Sequence, residues 1–158
     1  MTHNVSTEQL STLRFERVWV REATFVDVEG DQAPLPPQEL EGVGIQLNVK
    51  VAFSEQGDRA FVTVRASLES PADKHFFVKL AAAVEGSFAL RQAADPKVLH
   101  TFATVQAPVL LLPYLRQVIT NLTAQSRVGA MVLPPLNMVE ITKAMQAQAT
   151  KEGAPATS

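Results

Sequence analysis

The sequence predicts an α+β domain, a four-stranded antiparallel sheet followed by C-terminal helices packed on one face. Two observations lead there. Hydrophobic residues alternate at period two through most of residues 13 to 90, and from residue 94 the period becomes helical. The length agrees: 158 residues suit one domain, which at this size buries roughly 70% of its unfolded surface.

Leu13 to Val28 is rich in β-formers, including Phe15, Val18, Trp19, Val20, Phe25 and Val26, but places apolar groups on both parities. That predicts a long first strand with a bulge or with both faces covered. Residues 29–40 follow, and Pro34, Pro36 and Pro37 cannot donate to a β-ladder, so this stretch reads as a crossover loop. The clearest alternation is Val43 to Phe53, where every odd position is large and apolar, giving the second strand. A turn-like cluster at 54–59 reverses the chain into Ala60, Val62, Val64, Ala66 and Leu68, the third strand of an antiparallel hairpin. After the break at 69–73, Phe76, Val78, Leu80, Ala82 and Val84 begin a fourth strand that continues towards Leu90.

Asp95 is placed to cap, and Pro96 to begin, a short helix carrying Val98, Leu99, Phe102 and Val105. Pro108 blocks its continuation. A longer helix is expected from about Leu110 to Ser126, with Leu111, Leu115, Val118 and Leu122 on one stripe and Leu112, Tyr114 and Ile119 widening the apolar arc. Asn137 then caps a last helix bearing Met138, Ile141 and Met145. The expected organisation is a flexible segment at 1–12, one domain over 13–146 and a disordered tail at 147–158.

Composition narrows the function. With 46% apolar and 19% charged residues, the chain reads as a soluble globular domain. A net charge of −2 supplies no global attraction to nucleic acid or anionic membrane. The absence of cysteine removes disulfides, thiolate metal sites and cysteine nucleophiles. Residues 1–9 contain neither a basic run nor a long apolar one, so a cytoplasmic address is expected, without membrane insertion.

Catalytic patterns are equally sparse. His3, His75 and His100 have no ligand or triad spacing, and the glycines form no phosphate-cradling loop, so neither a metal nor another cofactor is expected. Asp27, Glu29 and Asp31 read as a solvated acidic loop rather than a cation site. The informative feature is a hydrophobic surplus: the first strand and the long helix carry more apolar surface than one covered sheet face requires. Such surplus points to association between copies. Leu35 and Leu40 are also placed to wall a groove with Met138, Ile141 and Met145, whose flexible side chains suit varied partners.

Specific residues add a family. Leu112-Pro113-Tyr114-Leu115-Arg116-Gln117-Val118-Ile119, followed by Leu133-Pro134-Pro135-Leu136-Asn137, resembles the SecB family of protein-export chaperones, and Arg17 to Phe25 looks like that family's first strand. The resemblance covers about residues 13 to 146, with the Pro-Tyr segment expected to open the long helix. It implies a homotetramer, a dimer of dimers whose long helices lie between two eight-stranded sheets. The stripe Leu111, Leu115, Val118 and Leu122 then becomes the contact between copies. It also implies a non-enzymatic, ATP-independent holdase that binds unfolded preproteins in hydrophobic grooves and keeps them competent for export. Carried over by position, Leu40, Val43, Ile45, Leu47 and the last helix's apolar stripe touch the client.

Members that serve export dock the SecA ATPase on an acidic patch of the outer sheet face. Glu22 matches one acid of that patch, but Val26 stands at another acidic position, and Lys79 and Ala81 replace a leucine and an acid. Gln117 and Met138 depart from a glutamate and a phenylalanine. The alternative implied is a SecB-like chaperone dedicated to one client, such as an antitoxin, without SecA docking. An enzyme on a sheet wrapped around a helix, as in thioesterase-like folds, is a third possibility that lacks an acid, base or nucleophile set.

Overall fold

The computed structural model describes residues 13–30, 43–91, 95–134 and 143. Its elements are β1 (Leu13–Asp27), β2 (Gly44–Phe53), β3 (Arg59–Glu69), β4 (Phe77–Leu90), α1 (Pro96–Val105) and α2 (Ala107–Ala124). The four antiparallel strands lie in the order β1-β4-β3-β2, and the helices pack on one face, as the sequence predicts. β1 and β2 occupy opposite edges, so their connection is a crossover, although residues 31–42 lie outside the described residues. The 1–12 segment and the 147–158 tail also lie outside them. Of the last expected helix only Lys143 is described, and it is helical.

The irregular hydrophobic pattern of β1 has a local cause. Its pairing with β4 shifts register between Phe15 and Arg17 and again between Val20 and Glu22. Each extra residue reverses the parity of those that follow. Leu13, Val18 and Phe25 consequently pack against one core despite their mixed parities. The same shifts direct Glu16 and Glu22 to the opposite face, where they meet Arg59 and Arg65.

β3 keeps strict alternation. Ala60, Val62, Val64, Ala66 and Leu68 are buried, while Phe61, Thr63, Arg65 and Ser67 are half-buried. β4 is buried on both sides, because α2 covers one face and the longer side chains of its neighbours crowd the small Ala81, Ala83 and Ser87 on the other. Turn chemistry supports the β2–β3 hairpin. Gly57 adopts φ +71, the Ser54 hydroxyl donates to Asp58, and the Arg59 N–H donates to the Ser54 hydroxyl oxygen.

Helix placement follows from capping and proline. The Asp95 side chain accepts from the Lys97 N–H, and Pro96 occupies the first turn of α1. Pro108 does end that helix, but it also sits in the first turn of α2, which starts at Ala107 rather than Leu110. The two helices meet at Gln106 with a bend of 41°. Pro113 therefore lies inside α2 instead of opening it. Its missing N–H faces the exposed side, where water can satisfy the freed carbonyl.

α2 lies over β4, β3 and β1, and α1 over β3 and β4. Leu99, Leu111, Leu115 and Ile119 point down onto Val62, Val64, Val84 and Phe88 in the core. Two threonines then fasten the chain that leaves α2. Thr123 Oγ1 accepts from the Met131 N–H at 2.8 Å, and Thr120 Oγ1 donates to the Met131 carbonyl at 3.1 Å. Met131 and Leu133 are thereby held in the core.

Gly86 sets how near α2 can come to the sheet. A Cβ there would lie 2.8 Å from Leu111 Cδ2 and 3.1 Å and 3.3 Å from the rings of Phe88 and Phe15. Three neighbours would have to shift together, two of them aromatic. Gly86→Ala is expected to cost about 1–3 kcal/mol in urea unfolding, and Gly86→Ala with Leu111→Ala is expected to cost less than the sum of the two single changes.

Candidate functional site

Among the described residues, two apolar surfaces remain outside the cover of α1 and α2. On β2 the residues facing the helix side are Ile45, Leu47, Val49 and Val51, paired across the sheet with Leu68, Ala66, Val64 and Val62. Neither helix covers this strand as it covers β3 and β4, so Ile45, Leu47 and Val51 stay half-buried. The second surface lies along the β1 edge and the outer side of α2. Phe15 stacks on the core ring of Phe88 at 4.9 Å and meets Tyr114 edge-on at 6.2 Å, yet Phe15, Tyr114 and Leu110 are all exposed. Farther along β1, Val20 is 52% exposed.

Several expected site residues move accordingly. Leu111 and Leu115, expected at a contact between copies, are 0% exposed and lie in the core within one copy. α2 turns them onto the sheet and presents Leu110 and Tyr114 outward. Val118 and Leu122 are half-buried against the same core. Val43, expected to touch a client, is 8% exposed and likewise belongs to the core. Ile45 and Leu47 retain accessible surface. Leu35, Leu40, Met138, Ile141 and Met145 lie outside the described residues.

Sequence reasoning missed the cluster of Phe15, Val20 and Leu110. Its signal was present as apolar groups on both parities of the first strand and as the broad helix arc. Locating it required the bulge positions and the rotation of α2.

The outer sheet face is polar and laced with ion pairs. Arg65 makes two hydrogen bonds to the Glu22 carboxylate, at 2.7 Å and 3.2 Å. Arg59 reaches Glu16 at 3.1 Å and Arg21 reaches Glu85 at 3.6 Å. Glu22, the expected docking acid, is thus neutralised by a partner on β3. The hydrogen bonds from Arg65 outweigh partial burial and hold its carboxyl below the ordinary value. Asp27 is similarly placed: Arg127 grips both carboxylate oxygens at 2.9 Å and 3.0 Å, and the Val28 N–H donates a third bond. Its carboxyl is lowered chiefly by the Arg127 hydrogen bonds.

Among the described residues no three His, Cys, Asp or Glu side chains converge as metal ligands. His100 stacks on Phe53 at 5.3 Å, which joins the end of β2 to α1. No single helix among the described residues is long and apolar enough to cross a membrane.

Comparison with known proteins accords with this architecture. The family model described as preprotein translocase subunit SecB matches residues 6–149, and the chain belongs to the SecB family. A chaperone role comes with that membership. The protein-export protein SecB of Paramagnetospirillum magneticum is 25% identical over 144 residues, covering 89% of this chain and 90% of the relative. That of Alcanivorax borkumensis is 24% identical over 132 residues, covering 82% and 83%. Among solved structures, the Mycobacterium tuberculosis SecB-like chaperone Rv1957, in complex with a ChAD peptide from the HigA1 antitoxin, superposes with a TM-score of 0.57 at 16% identity. The match covers 84% of this chain and 96% of that one, and shows a shared fold.

The lowered carboxyl groups of Glu22 and Asp27 define an acid sensitivity. Folding favours their charged forms, so their contribution to stability is complete above the ordinary carboxylate range near roughly pH 4 and is lost as pH falls through their depressed folded values. Asp27→Asn is expected to lower stability at neutral pH by at most about 1 kcal/mol. Urea unfolding of the variant and the parent should converge as the pH drops below that range.

Proposed function

We propose that the protein is a non-enzymatic, ATP-independent holdase of the cytoplasm that binds unfolded preproteins on the uncovered apolar side of β2 and keeps them competent for export. The observation that carries this reading is the row of Ile45, Leu47 and Val51, half-buried on a strand that neither helix covers. An unfolded chain offers apolar side chains and unpaired backbone, which such a strand can meet without sequence specificity. Each half-exposed aliphatic side chain has only about 1 kcal/mol of burial left to give. A single site therefore binds weakly, and tight holding requires several sites engaged by one long client.

Multivalency follows if four copies assemble as a dimer of dimers. The β1 edge, the exposed Val20, and Leu110 and Tyr114 on α2 supply surface for it. Among the described residues the outer edge of β1 has no strand partner, and an edge of 15 residues is a ready template for pairing.

A second reading, a chaperone dedicated to one client such as an antitoxin, is favoured by the state of Glu22. An acid already engaged by Arg65 contributes little to an acidic docking patch, and the nearby Lys79 reduces the negative potential further. The antitoxin peptide bound to the Mycobacterium tuberculosis relative gives this reading a precedent within the fold. Failure of SecA to bind the intact protein, together with rescue of one co-expressed antitoxin's solubility, would select it over export.

Two measurements test the common core of these readings. Leu47→Asp, and separately Ile45→Asp, should reduce suppression of aggregation of an unfolded client without nucleotide, while light scattering still reports the parental mass. Val20→Arg should do the reverse at the level of assembly, lowering that mass while the circular dichroism spectrum is retained. A parent protein that is monomeric and has no holding activity would overturn the proposal.

A further inference from the structure

The outer sheet face has a basic end. Arg14 on β1 and Arg59 on β3 both pair in register with Ala89 on β4, so two guanidinium-bearing side chains flank one small residue. Arg91 follows immediately after β4, and Glu16 and Asp58 complete the lining of an open cleft of about 430 Å³. Along the same face Ser87 lies beside Arg17 in register, so the strip of β4 here is floored by small side chains between longer ones. Arg17 in turn lies over the Trp19 ring at 5.9 Å.

The charges in this cleft are unequally satisfied. Glu16 is held by Arg59, and Asp58 accepts from the Ser54 hydroxyl. Among the described residues, Arg14 and Arg91 have no carboxylate partner. A protein of net charge −2 thus concentrates uncompensated guanidinium groups at one end of one face. Their field is local, extending about 8–10 Å at moderate salt. It selects for a partner whose negative charge is concentrated in a short length.

We propose that this cleft, centred on Arg14 and Arg91, docks an acidic polypeptide segment through its Asp or Glu side chains. Guanidinium groups present paired donors that match a carboxylate, and the small side chain of Ala89 between Arg14 and Arg59 lets a chain lie close to the sheet at the floor of the cleft. Glu16 and Asp58 interrupt the positive lining, which disfavours the uniformly charged backbone of a nucleic acid. A polypeptide carrying acids at intervals fits that mixed pattern. The site lies on the sheet face opposite the helices and does not rest on the client-holding role of β2. A partner can therefore dock here while a client occupies the other face.

The test uses the full chain and a fluorescent twelve-residue peptide of alternating glutamate and serine, followed by anisotropy at low and then moderate salt. The peptide is expected to bind, to weaken as salt rises, and to bind at least about tenfold more weakly to the Arg14→Ala/Arg91→Ala variant. Lys79→Ala, at the other end of the same face, should leave binding unchanged. Arg91→Ala alone, at a residue that lies off the β1 edge, should weaken peptide binding while keeping the parental mass and aggregation-suppressing activity, which separates this site from the holdase reading. Absence of binding, equal binding by the double variant, or more effective competition by duplex DNA or phosphatidylserine vesicles than by unlabelled peptide would overturn the proposal.

Discussion

The close seating of α2 on β4 at Gly86 governs the rest of the molecule. With no side chain at that position, Leu111 descends onto the backbone of Gly86 beside the stacked rings of Phe15 and Phe88, and the helix above it buries Leu115, Ile119 and Thr123 in succession. A helix placed this deeply over the centre of the sheet covers β4, β3 and part of β1, but it cannot also reach across β2. That α1 and α2 leave β2 without helical cover is therefore a geometric result of tight packing elsewhere. The same seating consumes the stripe of Leu111 and Leu115 and leaves the flank with Leu110 and Tyr114 facing outward.

Much of this architecture was legible in the residues. β3 alternates without interruption, and its buried positions are the ones its pattern assigns to the core. Asp95 and Pro96 specify the start of α1 through local chemistry alone. Legibility failed where a result depends on contacts distant in the chain. Two consecutive apolar or polar residues in β1 reveal an irregularity, but only pairing with β4 shows where each bulge falls. The pairing of the Glu22 carboxylate depends on Arg65, 43 residues away, which no local pattern joins to it. The start of α2 is not legible from Pro108 alone, since a proline that ends one helix is equally at home in the first turn of the next. The family motifs around Pro113 and Pro134 conveyed membership without showing which leucines face inward.

The two faces of the sheet have different chemistry because they meet different constraints. The helix side must exclude water, so its polar atoms are few and fully employed, as at Thr123, whose hydroxyl both accepts from Met131 and donates to the Ile119 carbonyl. The outer side stays wet and uses arginine–carboxylate pairs across strands. Those pairs are individually modest in energy, but they fix the long side chains that shield Ala81, Ala83 and Ser87. A chaperone built in this way can present apolar surface at its sheet edges while its broad outer face remains hydrophilic.

The bulges of β1 also bear on edge-to-edge aggregation. An extended strand with open hydrogen-bonding groups invites the endless stacking that builds fibrils. Three register shifts along the β1–β4 pairing interrupt the flat, evenly spaced ladder that a growing fibril copies. Charged side chains at Arg14, Arg17 and Arg21 repel a stacked copy in the same register. Closed assembly through a short matched stretch survives these interruptions, whereas open-ended polymerisation does not.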